Sequence, residues 1–302
     1  MNGQVKQSKG LQGLKCDIGI VSYNCFPELE SCLDSIFSME KNAVNKVYVV
    51  ENSKKSIPGR LKKKFSGVTW SRNTRNVGFA AACNQIMEQS AAPYLLIMNP
   101  DAEIEKSFIN DAMAWMEAHK DTALLGPCIM DPDGKVQASA RGFPNITTAF
   151  FGRKSLLSRF FPSSRMAREN LVTLANPTGP IEPDWISGAC MLVRKAAVED
   201  VGPMDQGFFM YWEDCDWCTR FRQAGWKVVY HPGLGPVRHA AGSSSRKVGV
   251  FTHFHFHRSA ARLYIKYDDS PLRAGSIIAV PGALCRFLFL LPWVLMKQRD
   301  NP

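Results

Sequence analysis

Between residues 16 and 129, short apolar runs alternate with segments of helical character, and this alternation constrains the fold more than any other feature of the chain. The runs at 16–23, 46–50, 68–71, 94–98 and 123–129 have the length of strands, and the first is rich in β-branched residues. Between them, Pro27 opens a pattern that sets Leu29, Leu33, Ile36 and Phe37 on one face, and 78–89 and 105–119 read as further helices. Such an order predicts an α/β fold with a mostly parallel sheet flanked by helices. Beyond it, Asp131-Pro132-Asp133-Gly134 is a turn. Residues 140–182 show no sustained period and predict a long loop with a short helix near 163–169, of the kind that serves as a lid or binding segment. Order returns with an apolar run at 185–194, a helix beginning near Asp214 and a strand at 226–230.

With 45% hydrophobic, 11% aromatic and 21% charged residues in 302, the chain has ample material for a core, which excludes a disordered polypeptide. Nine cysteines are scattered without a disulfide framework and read as reduced thiols in a cytosolic setting. The polar N-terminus lacks the apolar centre of a signal peptide, so export by that route is not expected. The net charge of +10 concentrates in two places. One is Lys54, Lys55, Arg60, Lys62, Lys63 and Lys64. The other is the stretch after Ser245, with nine Lys or Arg against three Asp. The latter also holds the most apolar segment, 277–296, and basic plus apolar points to an anionic membrane surface. No nucleic-acid-binding module is recognisable, and nucleic acid is not an expected partner. Segment 277–296 has the length of a bilayer span but is interrupted by Pro281, Arg286 and Pro292. A helix lying in the interface or re-entering it is the reading preferred, and a helix docked on the rest of the protein is the alternative.

In an open α/β sheet, ligands collect at the carboxyl ends of the strands, and two of those ends carry acids, Glu51 and Asp101. Pro100 turns the chain just before Asp101, which can face a cleft or cap the next helix. Arg75-Asn76-Val77-Gly78 leads into an Ala-rich helix start, whose N–H groups can meet a diphosphate or merely pack closely. The densest constellation is Glu213, Asp214 and Asp216 behind the aromatic run 208–212. Repulsion makes three neighbouring carboxylates costly unless a cation or substrate balances them, although a helix N-terminus also favours acids. Asp214 and Asp216 cannot share one helix face, which assigns them different tasks. Cys215 and Cys218 read as packing cysteines. His239 precedes a Gly/Ser run and is able to ligate a divalent metal. His253, His255 and His257 would share one face of a strand, as polar or interfacial positions more than as a metal cluster.

Several of these pieces occur in a fixed order: Ile18-Gly19-Ile20-Val21-Ser22-Tyr23-Asn24, Val49-Val50-Glu51-Asn52-Ser53, Arg75-Asn76-Val77-Gly78-Phe79-Ala80, Met98-Asn99-Pro100-Asp101-Ala102, Trp185-Ile186-Ser187-Gly188-Ala189-Cys190, Phe208-Phe209-Met210-Tyr211-Trp212-Glu213-Asp214 and Val237-Arg238-His239. The series resembles the family 2 glycosyltransferases of GT-A fold, with a Rossmann-like sheet, and most closely their bacterial rhamnosyltransferase-like branch. The resemblance implies transfer of a sugar, with inversion, from a nucleotide-sugar donor (dTDP- or UDP-linked; dTDP-rhamnose for this branch) to a hydroxyl of a glycan or polyprenyl-diphosphate-linked acceptor. The setting it implies is cell-surface polysaccharide synthesis at the cytoplasmic face of the membrane. It gives Asp214 the role of catalytic base, with Glu213 beside it. Asp101 and His239 would hold Mg²⁺ or Mn²⁺, with Asn99 in place of a first metal-binding acid. Ser22, Asn24, Glu51, Asn52, Arg75, Asn76 and Gly78 fall at donor-binding positions. The expected layout is a basic tail over 1–15, a catalytic domain over 16–245 with a donor half over about 16–130 and an acceptor half over about 131–245, and a helical, membrane-associating extension over 246–302. The alternative, motivated by Glu51 and Asn99, is a non-catalytic, membrane-attached nucleotide-sugar-binding or scaffold protein on a degenerate GT-A fold.

Overall fold

The computed structural model describes residues 15–39, 43–144, 177–239, 249–271 and 274–299. Strand β1 (Cys16–Ser22) leads into helix α1 (Phe26–Phe37), followed by β2 (Val44–Glu51), α2 (Gly59–Lys64), β3 (Val68–Arg72), α3 (Phe79–Gln89) and β4 (Tyr94–Met98). Next come β5 (Ala102–Glu103), α4 (Phe108–Ala118), β6 (Thr122–Pro127), β7 (Ile129–Met130) and β8 (Ala140–Arg141). The later part holds β9 (Trp185–Ile186), β10 (Cys190–Arg194), α5 (Lys195–Val201), α6 (Glu213–Gln223), β11 (Lys227–His231), β12 (Val237–His239), α7 (Val250–Tyr267) and α8 (Ala274–Arg299). The short helix expected near 163–169, the Gly/Ser run after His239 and most of the N-terminal tail lie outside the described residues.

The main sheet has the order β11-β6-β10-β4-β1-β2-β3. Strands β3, β2, β1 and β4 run parallel, as do β6 and β11. Only β10 runs antiparallel to its neighbours β4 and β6. Because β1 lies between β2 and β4, the chain departs from it in both directions, and the crevice beyond the carboxyl ends of β1 and β4 is the switch point where α/β sheets bind ligands. The pleat divides the apolar runs between two layers. Ile18, Ile20, Val49, Leu96 and Met98 face one, while Val21, Tyr48, Val50, Leu95 and Ile97 face the other. Strands covered on both faces read as continuous apolar runs, which is why β1, β2 and β4 are visible in the sequence. The buried Asp17 in β1 accepts from Asn45 Nδ2, Ser90 Oγ and the amides of Lys46 and Ala92, so its charge is compensated inside the sheet edge.

The apolar run at 185–194 divides into β9 and β10, separated by the turn Ser187-Gly188-Ala189. A second, three-stranded sheet sets β12 between β5 and β7, with His239 opposite Ala102. The stretch containing His253, His255 and His257 is helix α7 and not a strand. On this helix His253 and His257 stack at 4.5 Å on one face, while His255 turns away to stack on Phe209 at 4.3 Å. Burial pushes the His257 imidazole down to about 4, and the three rings do not converge on a metal. All nine cysteines are free thiols, eight of them buried, and Cys215 and Cys218 both pack inside.

Candidate active site

One cleft opens beyond the carboxyl ends of β1 and β4. Val21, Tyr23, Asn52, Asn76, Phe79, Asn99 and Asp101 line one side, and Ser187–Ala189, Met210, Tyr211, Glu213, Asp214, His239 and Thr252 complete it. Asp101 and Asp214, 113 positions apart in the chain, therefore face a common cavity. The Ser187–Ala189 turn joins them, because Asn99 donates its amide to the Ala189 carbonyl at 2.9 Å and Gly188 donates its amide to Asp214 Oδ2 at 3.0 Å.

Asp101 lies in the turn just before the two-residue strand β5 and caps no helix; α4 starts only at Phe108. The pairing of β5 with β12 delivers His239 beside it, with Nε2 3.2 Å from Asp101 Oδ1 and 3.2 Å from Asn99 Nδ2. Gln137 fixes the ring's tautomer. Its Nε2 donates to the His239 carbonyl, so its Oε1 must accept from His239 Nδ1–H. Nε2 then stands between the Asp101 carboxylate and the Asn99 side-chain amide. A carboxylate oxygen and an imidazole nitrogen held this close, almost fully buried and open to a cleft, suit a divalent cation. Among the described residues no third His, Cys, Asp or Glu joins them, which leaves coordination positions for a ligand's own oxygens.

Glu213 and Asp214 open helix α6, behind Tyr211 and Trp212, whose φ angles are 66° and 70°. Both carboxyls are held above their ordinary range. Burial and the charge of Asp214 raise Glu213. Burial also raises Asp214, opposed by the amide bonds from Gly188 and Cys215 and by the nearby Arg141 guanidinium. Glu213 Oε2 is buried with no hydrogen-bond partner among the described residues. Asp216 is fully buried and points elsewhere, to Arg220, Lys266 and Tyr267. It fastens α6 to α7 and takes no part in the cleft.

The other candidate positions form the frame of the cleft. The Glu51 carboxylate is fully buried and accepts from Ser22 Oγ at 2.7 Å and from the Asn24 amide at 3.2 Å, so it ties the β1 and β2 termini together and does not line the cavity. Its extra methylene lets it reach back to β1. Asn24, at φ 56°, accepts from Ser53 Oγ outside the lining. Asn52 lines the cavity, yet its amide is occupied: it donates to Asn76 Oδ1 and the Gly78 carbonyl, and accepts from Asn73 Nδ2 and the Val77 amide. Gly78 does not meet open space. Its φ is 90°, and a Cβ there would lie 2.5 Å from the Phe209 carbonyl oxygen, to which the Phe79 amide donates. The start of α3 is thus capped by the 202–212 loop, which is the close-packing reading of that glycine. Arg75 is exposed and outside the cavity. The cleft also uses Ser187, Gly188, Ala189, Met210, Tyr211 and Thr252, which were not among the candidates. The first five lie inside motifs that carried the resemblance; Thr252 had no sequence signal.

Residues 17–201 match the family described as glycosyl transferase family 2. The chain belongs to this family. It is a glycosyltransferase, and its mixed α/β body is of the GT-A type that the resemblance implied. The matched span ends before Asp214 and His239, which reach the cleft on α6 and β12. An N-acetylglucosaminyl-diphospho-decaprenol L-rhamnosyltransferase of Mycobacterium tuberculosis is 29% identical over 241 residues, covering 75% of this chain and 76% of that one. The dTDP-rhamnosyl transferase RfbF of Shigella flexneri is 24% identical over 238 residues, covering 76% and 70%. Among solved structures, the glycosyltransferase resembles the mannosyltransferase PcManGT of Pyrobaculum calidifontis in complex with GDP-Man and Mn²⁺, with a TM-score of 0.55 at 16% identity over 94% of this chain and 73% of that one.

Proposed function

We propose that this glycosyltransferase moves rhamnose from dTDP-rhamnose to a hydroxyl of a polyprenyl-diphosphate-linked sugar, with inversion, at the cytoplasmic face of the membrane. The observation that carries the reading is the single cleft shared by Asp101, His239 and Asp214. The names of the two rhamnosyltransferase relatives support the sugar, the nucleotide and the lipid-linked acceptor.

In the chemistry proposed, Asp214 is the general base. It takes the proton of the acceptor hydroxyl as that oxygen attacks the anomeric carbon from the face opposite the leaving diphosphate. Burial raises the Asp214 carboxyl, and the Gly188 and Cys215 amides oppose that rise and aim the group. Glu213 lies beside it with an unpartnered oxygen on the same side of the cleft. Asp101 and His239 would hold a divalent cation, Mg²⁺ or Mn²⁺, with Asn99 adjacent. Such an ion supplies Lewis-acid stabilisation of the charge that builds on a departing diphosphate. One base and one cation are sufficient for a single displacement, and no protonated carboxyl is required for the leaving group. Asn52 and Asn76 form the floor on the donor side, held rigid by their mutual hydrogen bond. Ser22, Asn24, Glu51 and Gly78 act through the frame they build.

The setting is read from α8, whose segment Gly275–Met296 has a mean hydropathy of 2.0 and is mostly exposed or half-buried. Ile277, Leu284, Leu288 and Phe289 stand bare on it. Pro281, Arg286 and Pro292 favour a helix lying in the interface over a span. Nine unpaired thiols fit the reducing side of that membrane.

The test is Asp214→Asn in the full chain, assayed with dTDP-rhamnose and a short polyprenyl-diphosphate N-acetylglucosamine. Transfer should fall by at least about 10³-fold while dTDP affinity in Mn²⁺ stays within a factor of a few. Normal turnover by the variant removes Asp214 from the base role, and an inactive wild type overturns the choice of substrates.

A further inference from the structure

The turn that presents Asp214 is held from outside the span that defines the family. Tyr211 and Trp212 are consecutive non-glycine residues in the left-handed region, at φ 66° and 70°, directly before Glu213 and Asp214. Side chains with a Cβ resist that conformation, and two in succession persist only where the surroundings over-determine them. Among the described residues no side chain caps the start of α6, and the buried Trp212 Nε1 has no hydrogen-bond partner. The restraint comes from α7. Ser259, 1% exposed, donates its hydroxyl to the Met210 carbonyl at 2.9 Å. The Phe256 ring meets those of Tyr211 at 5.7 Å and Trp212 at 5.5 Å. His255 stacks on Phe209, and Thr252 on the same helix lines the cleft.

We infer that α7 is a built-in clamp for the catalytic base, with Phe256 and Ser259 as positioning residues that hold the strained Tyr211-Trp212 turn so that Asp214 stays on the Gly188 amide and aimed at the acceptor hydroxyl. Neither residue touches the cavity, so each acts through the turn. The inference rests on Asp214 being the base.

The experiment uses the full chain with Phe256→Ala and Ser259→Ala, and with Ser259→Thr as the conservative control. With the substrates named above, kcat should fall about 10²-fold in F256A and about tenfold in S259A, while the KM for dTDP-rhamnose and the affinity for dTDP with Mn²⁺ hold within about twofold. S259T should recover most of the loss. Asp214 without its Gly188 bond is a weaker acid, so the acidic limb of the kcat–pH profile should move to higher pH in both variants. Hydrogen exchange adds an arm that needs no substrate. Protection should drop in peptides covering 186–189 and 210–216 and stay unchanged over 16–52. The inference is overturned by kcat within twofold of wild type in both variants, by exchange that is unchanged at 186–216, or by losses spread evenly with dTDP affinity falling in step. If F256A fails to fold, S259A, which removes one hydroxyl, decides alone. D214N separates the two claims. An active D214N sinks the base assignment, whereas an inactive D214N with normal F256A and S259A sinks only the clamp.

Discussion

At the scale of single residues, the site's chemistry depends on which carboxylates are bound internally. Asp17, Glu51 and Asp216 are all fully buried and all accept hydrogen bonds from within the protein. Glu213 is different, because one of its oxygens has no partner and its carboxyl is pushed up by burial and by Asp214. A buried acid whose folded pKa lies above its unfolded value of about 4.5 keeps its proton in the folded state after the unfolded chain has lost it. Stability therefore falls as pH rises from about 4.5 toward the folded value. Glu213→Gln removes that titration, so the melting temperature of E213Q relative to wild type should climb steadily between pH 4 and pH 8. A pH-independent difference would show that Glu213 is not held protonated. The sequence revealed the acidic cluster and its separation of tasks, because Asp214 and Asp216 point to different helix faces. It concealed the inward commitment of Glu51, since a carboxylate at a strand end reads the same whether it meets a ligand or the neighbouring strand.

Among the elements, the strands that are buried on both faces were legible, and so were α1, α3 and α6, whose apolar spacing and flanking residues mark them. The reversed direction of β10 was not, because an apolar run carries no record of polarity, and the turn at 187–189 is hidden within it. Within the helical extension expected after residue 245, the bounds of α7 were not legible. Alternating His and Phe from 253 to 257 imitates a strand, while the burial of His253, His257, Ala260 and Leu263 follows a helical period. Helices α7 and α8 form a pair, with His253 Nε2 3.1 Å from the Phe287 carbonyl and its ring stacked on Phe287. The outer side of this pair carries Phe254, Leu288 and Phe289, all exposed. If that side meets lipid, Leu288→Ser/Phe289→Ser should reduce sedimentation with anionic phosphatidylglycerol vesicles at least about tenfold, with turnover on a detergent-dispersed acceptor nearly unchanged. Equal sedimentation of the double variant and wild type would show that α8 does not carry membrane binding.

For the whole molecule, the proposed donor and metal positions are joined through two sheets. Asp101 leaves the main sheet at β4, and His239 arrives on β12 of the small one. A cation shared between them should couple ligand binding to global stability. A ligand that prefers the folded state at about 100 times its dissociation constant adds about 2.7 kcal/mol. Saturating dTDP-rhamnose with Mn²⁺ should accordingly raise the melting temperature by several degrees. EDTA should cancel most of that shift, and Asp101→Ala and His239→Ala should each abolish the Mn²⁺-dependent part. A donor-induced shift that is the same with and without metal would argue against a cation at this place. The mostly parallel sheet and the placing of the cleft at strand carboxyl ends followed from the alternation of runs in the first 129 residues. The meeting of Asp101 with Asp214 did not, because it depends on long-range pairing that no local pattern records.

The single reversed strand carries a consequence for how such an enzyme changes its chemistry. Since β10 runs against β4, the chain supplies the same rim of the sheet from two directions, with the ends of β1 and β4 on one bank and the beginning of β10 on the other. The two banks belong to separate stretches of polypeptide, laced together by the full β4–β10 ladder and by the Asn99–Ala189 backbone bond. Under the proposed function, a substitution at the head of β10 would reach the Asp214 bank through the Gly188 amide while the ends of β1 and β4 keep their own shape.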